Sequence, residues 1–286
     1  MEINFICGRA PALPDELFNG EISSLREFSL AGVITPLSWR RLSNLTVFNL
    51  CHVPRDEIRL TQLLDFFEFT PHLHHIQLPD SIPNSSNAPI ERVVSLPHLK
   101  ELSIIAQPSH SILLNHLAIP AGASLRLEFS FSGKESPIPS YLPKSLDNLY
   151  NLSHIAAVSF CFGSKRRFVR LHGPSGELRV FGNWQRRNGK PNDGTVRFMK
   201  SLRQFDISRT RRLAITLSRY RLPNVPSTVT WPNYSTLLRM EDLHTLMLIQ
   251  CNNPPFIQVL NPNKNPEKVV VCPKLEEIIL YIKCPD

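Results

Sequence analysis

The sequence Leu73-His-His-Ile-Gln-Leu78 returns 26 residues later as Leu99-Lys-Glu-Leu-Ser-Ile104. In both stretches a leucine is followed by apolar residues three and five positions later. This alternation predicts a short β-strand that turns its apolar side chains to one face. Five further copies have the same spacing, and they begin at Leu25, Leu45, Leu202, Leu243 and Leu275.

The distance between copies predicts a repeat architecture. The first four copies are 20, 28 and 26 residues apart, near the leucine-rich-repeat period of about 20–29 residues. Parallel strands need a return segment because no tight hairpin can join them. Residues 61–70 predict one such return as a helix that Pro71 ends. Its apolar residues have helical spacing: Leu60, Leu63, Leu64 and Phe67.

These patterns predict an α/β chain built as an irregular leucine-rich-repeat solenoid. Parallel strands would line its concave face, with helices and loops on its convex face. We expect one solenoid over residues 1–286, with an initial segment over residues 1–24 and a strongly basic section over residues 165–221. An ordinary α/β domain is the alternative, since Leu-x-x-Leu also arises in amphipathic helices. Pro or Asn shortly before several copies favours the repeat, because helix interiors avoid such residues.

Composition places the chain among folded proteins. It is 42% apolar and only 20% charged, which excludes a disordered chain. No apolar run approaches the length of a membrane-spanning helix, and residues 1–10 make a poor secretory signal. We therefore expect a cytoplasmic or nuclear protein. Six scattered cysteines without a Cys-x-x-Cys pair predict neither a zinc site nor a disulfide scaffold.

The charge is concentrated in residues 165–221. This section has 16 Lys and Arg against three acidic residues, a balance of +13, whereas the rest of the chain sums to −5. Such a section attracts acidic surfaces through its long-range field. We expect Phe168, Phe181 and Phe205 to lie in the core rather than to stack on bases. The candidate basic patch comprises Lys165, Arg166, Arg167, Arg170, Arg186, Arg187, Lys190, Arg209, Arg211 and Arg212.

Four stretches carry a resemblance to a known family. They are Ser24-Leu-Arg-Glu-Phe-Ser-Leu-Ala-Gly-Val33, Leu63-Leu-Asp-Phe-Phe-Glu-Phe-Thr-Pro-His-Leu73, Ser95-Leu-Pro-His-Leu-Lys-Glu-Leu102 and Val271-Cys-Pro-Lys-Leu-Glu-Glu-Ile-Ile-Leu280. They resemble the leucine-rich half of fungal F-box-like proteins of the basidiomycete type. The resemblance implies that the repeats hold a target, while an N-terminal F-box recruits an SCF-type ubiquitin ligase.

The F-box itself is expected to be incomplete. Leu13-Pro-Asp-Glu-Leu-Phe18 is similar to the opening of an F-box, but the first repeat already begins at Leu25. We therefore expect binding to the ligase adaptor only if a longer form carries the F-box.

The outward positions of the predicted strands form the candidate partner-binding surface. Their mixed polar, aromatic and apolar character suits a protein or peptide partner, although only a few such residues usually carry the binding energy. They are Glu27, Ser29, Asn49, His75, Gln77, Glu101, Ser103, Gln204, Asp206, Thr245, Met247, Glu277 and Tyr281.

Nothing in the sequence predicts catalysis, a cofactor or a metal. The chain has no Gly-x-Ser-x-Gly elbow, and the turn-forming Gly173-Pro-Ser-Gly176 lacks the ending of a phosphate-binding loop. His72, His74 and His75 lack partner ligands and alternate across a strand. The sequence thus predicts a non-enzymatic protein-binding module, and the resemblance implies that it recognises substrates of an F-box-type ubiquitin ligase or is a truncated relative of such a protein. The alternative is nucleic-acid or polyanion binding through residues 165–221.

Overall fold

The computed structural model describes residues 2–4, 24–31, 42–51, 59–79, 92–106, 110–131, 142–143, 145–162, 167–184, 205–217, 239–249 and 272–281. The chain is a mixed α/β protein with a large, mostly parallel β-sheet and few helices, which confirms the predicted class. It divides into two compact units. Unit 1 comprises Met1–Phe129 and Pro139–Asn151, and unit 2 comprises Ser130–Ile138 and Leu152–Asp286. The single solenoid over residues 1–286 stays a prediction.

Unit 1 is built on six parallel strands in sequence order. They are β1 (Glu2–Asn4), β2 (Glu27–Ala31), β3 (Val47–Cys51), β4 (His75–Leu78), β6 (Glu101–Ala106) and β8 (Ser124–Phe131). Between them, β5 (Val94–Ser95) and β7 (Leu117–Ala118) pair in a separate two-stranded parallel sheet. The sequence pattern therefore predicted β2, β3, β4 and β6 correctly.

The same backbone turn leads into successive strands of unit 1. The N–H of Leu45 donates to the carbonyl of Leu42 at 3.0 Å, and the N–H of Leu73 donates to that of Thr70 at 3.2 Å. One strand further, the N–H of Leu99 donates in the same way to Leu96, at 3.1 Å. Because each strand begins from an equivalent turn, equivalent residues become neighbours in the sheet.

Register and burial follow from this turn. Cα pairing brings Phe28, Phe48, Ile76, Leu102 and Leu125 into one row across β2, β3, β4, β6 and β8. All five side chains are buried. Alternate residues of these strands therefore face the core, as the period of two requires.

The predicted helix is present as α1 (Leu60–Phe69). It buries Leu63, Leu64, Phe66 and Phe67, and the ring centroid of Phe66 lies 4.4 Å from that of Phe48 in β3. The Thr70 hydroxyl donates to the Phe66 carbonyl at 2.7 Å, just before Pro71. The helix is thus a return segment packed on the strands of unit 1. Shorter helical segments are α2 (His110–Asn115) and a 3-10 turn, Tyr150–Leu152.

The described part of unit 2 also has six strands, but not all are parallel. They are β9 (Ala157–Phe162), β10 (Arg167–His172), β11 (Glu177–Trp184), β12 (Arg212–Leu217), β13 (Thr245–Ile249) and β14 (Glu277–Tyr281). Their spatial order is β11-β10-β9-β12-β13-β14. The pairs β9–β12, β12–β13 and β13–β14 are parallel, whereas β9–β10 and β10–β11 are antiparallel.

The prediction of parallel strands is therefore wrong for the β9–β11 part of the chain. For β10 and β11 the reason is the predicted turn at Gly173-Pro-Ser-Gly176, where the N–H of Gly173 donates to the carbonyl of Gly176 at 2.8 Å. A connection this short can join only antiparallel strands.

The strand predicted at residues 202–207 is not formed in its described part. Phe205 and Ile207 are buried there but lie outside any strand. The strand follows instead at β12, where Thr210 stands at the position that leucine occupies before other strands. Its N–H donates to the carbonyl of Ile207 at 3.1 Å, as the N–H of Leu243 donates to Met240 before β13. The leucine pattern therefore does not identify this repeat, in which Thr210 takes the place of leucine.

The core of unit 2 is less well covered at β14. Leu246 and Leu248 on β13 are buried, but their paired neighbours Ile278 and Leu280 on β14 are 47% and 48% exposed. The strand order ends at β14, so the predicted inward residues of this strand are only half covered.

Candidate functional site

The strand register of unit 1 aligns its outward side chains in rows. Cα pairing places Ser29, Asn49, Gln77 and Ser103 in line, followed by Arg126. This row has hydroxyl and amide groups at four consecutive strands, which can donate and accept hydrogen bonds. The predicted residues thus lie on the face opposite the core, and their part in binding stays a prediction.

A second row of unit 1 lies one step away and is charged. It contains Glu27, Val47, His75, Glu101 and Ser124. His75 Nδ1 lies 3.9 Å from Glu101 Oε2, and both side chains are more than 40% exposed. Because solvent screens so exposed a pair, it contributes little to stability and leaves both groups accessible.

Unit 2 has three such rows on the side opposite its core, and we call them the outward face of unit 2. The first row runs Glu177, His172, Ala157, Arg212, Thr245, Glu277 from β11 to β14. The middle row runs Arg179, Arg170, Ser159, Ala214, Met247, Ile279. The third row runs Phe181, Phe168, Cys161, Thr216, Ile249, Tyr281. Thr245, Met247, Glu277 and Tyr281 were predicted to lie outward, and the structure places them there.

An ion cluster lies on the β10 and β11 part of this face. Arg170 and Arg179 are directly paired across the two strands. Glu177 forms an ion pair with Arg179, and its carboxylate lies 3.5 Å from Arg170 Nε and 3.7 Å from His172 Nδ1. Its side chain is only 14% exposed. Two guanidinium groups thus share one carboxylate, which leaves the cluster positive.

The pKa values of the cluster follow from burial and from these charges. Burial raises the pKa of Glu177, but the hydrogen bond from Arg179 and the nearby positive charges of Arg179, Arg170 and His172 together outweigh it. The pKa of Glu177 therefore lies below its usual range. Burial lowers the pKa of His172, more than Glu177 raises it, and the two arginines lower it further. At neutral pH the cluster thus contains an ionised carboxylate and two guanidinium groups.

Two phenylalanines beside the cluster lie outside the core. Phe168 and Phe181 are only half-buried, and their ring centroids lie 5.9 Å apart at an interplanar angle of 42°. Their neighbours Val169 and Val180 face the core instead. The core prediction is wrong for Phe168 and Phe181, because antiparallel pairing of β10 with β11 sets them on the other side of the sheet, and it is correct for Phe205.

Two predicted residues of the partner surface are not found on these rows. Asp206 lies on a turn, where its Oδ1 accepts hydrogen bonds from the hydroxyl of Ser208 at 2.6 Å and from its N–H at 3.1 Å. These bonds, the hydroxyl first, lower the pKa of Asp206. Asp206 is thus a turn-stabilising residue, and Gln204 lies outside the described residues.

The described basic residues are divided between the face and a turn. Arg170 and Arg212 belong to the outward face of unit 2, whereas Arg209 and Arg211 are exposed on the segment that leads into β12. Arg167 is in β10, with its side chain outside the description. Outside the described residues lie Lys165, Arg166, Arg186, Arg187 and Lys190.

The histidines of unit 1 group differently from the predicted cluster. The His72 ring stacks on His98 with centroids 5.7 Å apart, and His74 lies 6.4 Å from His98, edge to face. His75 belongs to the charged row instead. Burial and the charges of Lys100 and nearby histidines lower the pKa of His74. Within the described residues, no group of three His, Cys, Asp or Glu side chains is arranged to hold a metal ion.

Three residues of the ion cluster in unit 2 were not identified from the sequence. Arg179, His172 and Glu177 were not predicted as site residues, because the β10–β11 hairpin falls where the leucine pattern degrades. The alternation in Leu178-Arg-Val-Phe181 does predict a strand, which is present as part of β11, but it does not by itself assign the outward residues of that strand to a site.

Comparisons with protein-family models, curated proteins and solved structures found no match to this chain. None of the helices in the described ranges has the length and apolar character that crossing a membrane requires.

Proposed function

We propose that the chain is a non-enzymatic protein-binding module of the leucine-rich-repeat type. Its partner would lie across the outward rows of the strands, which the solenoid would present on a concave face. The observation that carries this proposal is the alignment of outward side chains in continuous rows. Rows of mixed polar and apolar groups on a rigid sheet suit a protein partner better than a uniform charge does.

Recurrence of one turn in both units supports the repeat. In unit 2 the N–H of Leu275 donates to the carbonyl of Cys272 at 3.0 Å, as Leu243 does to Met240 at 3.2 Å. The same hydrogen bond joins Leu45 to Leu42 in unit 1. One supersecondary unit repeated along a chain is the defining property of a solenoid.

We further propose that the bound partner is a ubiquitin-ligase substrate. The resemblance of Ser24–Val33, Leu63–Leu73, Ser95–Leu102 and Val271–Leu280 to the repeats of fungal F-box-like proteins supports this role. That support is an analogy of sequence, and it concerns target recognition rather than adaptor binding.

An affinity purification from the source cells tests the proposal. The unchanged chain is compared with the Gln77→Arg variant. This substitution puts a long charged side chain between Asn49 and Ser103, in the row of outward side chains of unit 1. Thr61→Arg on the exposed side of α1 is the matched control. We expect the co-purified proteins to include SCF adaptor and cullin subunits if an F-box is present. We also expect partners that bind the unchanged chain and the Thr61→Arg variant but not the Gln77→Arg variant. Identical recovery from all three chains would contradict a strand-face interface.

Polyanion binding is the second candidate. The charge of +13 over residues 165–221 and the exposed Arg209, Arg211 and Arg212 favour it. Binding of duplex or single-stranded nucleic acid should then weaken steeply between about 50 and 200 mM salt, because phosphate neutralisation releases counterions. A flat salt response would exclude this function.

A further inference from the structure

We propose that the outward face of unit 2 binds an extended protein segment in which an acidic residue lies about four positions from a large apolar residue. This inference rests on the proposed protein-binding function and adds the chemistry of the partner. It depends on three features of the face: the ion cluster, the row of small and apolar residues that continues from it, and the half-buried pair Phe168 and Phe181.

The ion cluster would bind the acidic residue of the partner. Arg170 and Arg179 are neighbours, with side chains 37% and 35% exposed, and they share the more deeply placed Glu177. Glu177 forms an ion pair with Arg179 and lies 3.5 Å from Arg170 Nε, and each guanidinium carries five N–H donors in a rigid fork. Because the cluster has an excess of positive charge, a carboxylate from a partner would neutralise it at a partly desolvated place.

The middle row supplies a path across the sheet. From Arg170 it continues over Ser159 and Ala214, which are small, to Met247 and Ile279. Small side chains let a backbone approach the strands closely, whereas Met247 offers an adaptable apolar contact. Arg170 and Met247 are separated by three strand spacings, about 14 Å, which an extended chain covers in about four residues.

The third row adds an aromatic wall beside the arginines. Phe168 and Phe181 lie two residues along their strands from Arg170 and Arg179, a separation of about 7 Å. Half-buried aromatic rings next to arginine are the kind of group that dominates binding energy at protein interfaces. A second apolar side chain next to the acidic residue of the partner would therefore contact these rings.

The same face disfavours nucleic acid. Its first row contains two carboxylates, Glu177 and Glu277, and its β13–β14 end is apolar at Met247 and Ile279. A phosphate backbone would meet the Arg170–Arg179 pair and Arg212, but also two carboxylates and an apolar end, whereas a binding groove for single strands has basic groups along its whole length. A segment with one acidic and one apolar anchor matches both ends of the face.

A peptide selection on the full-length chain tests the proposal. The probe is a phage library of random peptides of about twelve residues, long enough to cross the six strands when extended. We expect enriched peptides to share Asp or Glu about four positions from Leu, Ile, Met or an aromatic residue. Synthetic copies are then measured by fluorescence anisotropy against three variants and the unchanged chain.

The first variant, Arg170→Gln/Arg179→Gln/Glu177→Gln, removes the two guanidinium groups and the carboxylate of the ion cluster and leaves no unpaired buried charge behind. We expect it to weaken peptide binding by about tenfold or more, since charge-assisted hydrogen bonds are lost. Lys100→Gln changes the net charge by the same amount at an exposed position of unit 1, and it should bind as the unchanged chain does. Met247→Glu leaves the ion cluster intact and should also weaken binding, so the test remains decisive if the triple variant folds poorly.

Three outcomes would overturn the proposal: no enriched peptide, enriched peptides without acidic residues, or equal loss in Lys100→Gln and the triple variant. Each differs from failure of the proposed function. If Gln77→Arg still loses partners from cell extracts while the peptide selection fails, the chain binds proteins through unit 1 and this inference alone is wrong.

Discussion

Thr210 donates its hydroxyl hydrogen to the carbonyl oxygen of Ile155 at 3.1 Å, and Thr210 is fully buried. The bond joins the segment before β12 to Ile155, which lies two residues before β9 and 55 residues from Thr210 in the sequence. Thr210 therefore makes a side-chain hydrogen bond at the turn position where Leu45 and Leu243 make only apolar side-chain contacts.

Replacing Thr210 by Val should therefore destabilise the chain. The methyl group keeps the shape, but the Ile155 carbonyl is left buried without this donor, at a cost of about 1–3 kcal/mol. Thr46→Val is the matched control, because Thr46 makes the same kind of bond to the Arg26 carbonyl at 3.0 Å in a solvent-exposed place. Urea unfolding midpoints measure both, and an equal effect would show that burial of the Thr210 bond is unimportant.

The register of the strands is tested by paired aspartate substitutions. Leu78, Leu102 and Leu248 face the core, so changing any of them to Asp buries an unpaired charge and should cost about 4 kcal/mol or more. Gln77→Asp and Glu101→Asp, on the outward rows, should change stability by about 0.5 kcal/mol or less. Thermal melting that does not separate the two classes would refute the register.

Helix α1 offers a comparison within one element. Phe66 is buried against Phe48, whereas Phe69 is 38% exposed at the end of the helix. Phe66→Ala should cost about 3–5 kcal/mol through lost burial and the cavity left behind. Phe69→Ala should cost much less, and similar unfolding free energies for the two variants would mean that α1 does not pack on unit 1 as described.

The ion cluster predicts a fall of stability with acid. The pKa of His172 is lowered in the folded chain, so the unfolded chain takes up its proton first, near its usual pKa of about 6.5. Stability contributed by neutral His172 is therefore present above that pH and is lost as the pH falls toward the folded pKa. His172→Gln should flatten this part of the pH profile of the urea midpoint.

A second loss is expected at lower pH. Glu177 has a lowered pKa in the folded chain, and its contribution is present above the unfolded pKa of about 4.3 and is lost as the pH falls through the folded value. Glu177→Gln should flatten this acid part. If both variants kept the full pH slope of the unchanged chain, the cluster would not be linked to folding.

Much of the strand pattern of unit 1 could be predicted because its signals are local. Leu73–Leu78 and Leu99–Ile104 each have a leucine followed by two alternating apolar residues. This pattern predicts which residues face inward without information about distant contacts. Helix α1 was predictable for the same reason, since its apolar spacing and Pro71 lie within a dozen residues of one another.

The site on unit 2 could not be predicted in this way. Whether Arg170 meets Arg179, and whether Phe168 lies outward, depends on the antiparallel register that the short Gly173–Gly176 turn imposes on β10 and β11. The two arginines are nine positions apart in the sequence, and only strand pairing makes them neighbours around Glu177.

The sequence alone determined the α/β class, the inward residues of most parallel strands and the concentration of positive charge, because composition and period are properties of the chain itself. Only the tertiary structure decided that Thr210 replaces leucine and that the ion cluster lies beside the half-buried Phe168 and Phe181. The first feature arises from a contact between distant segments, the Thr210–Ile155 bond, and the second from the strand register of β10 and β11, and the leucine pattern specifies neither of them.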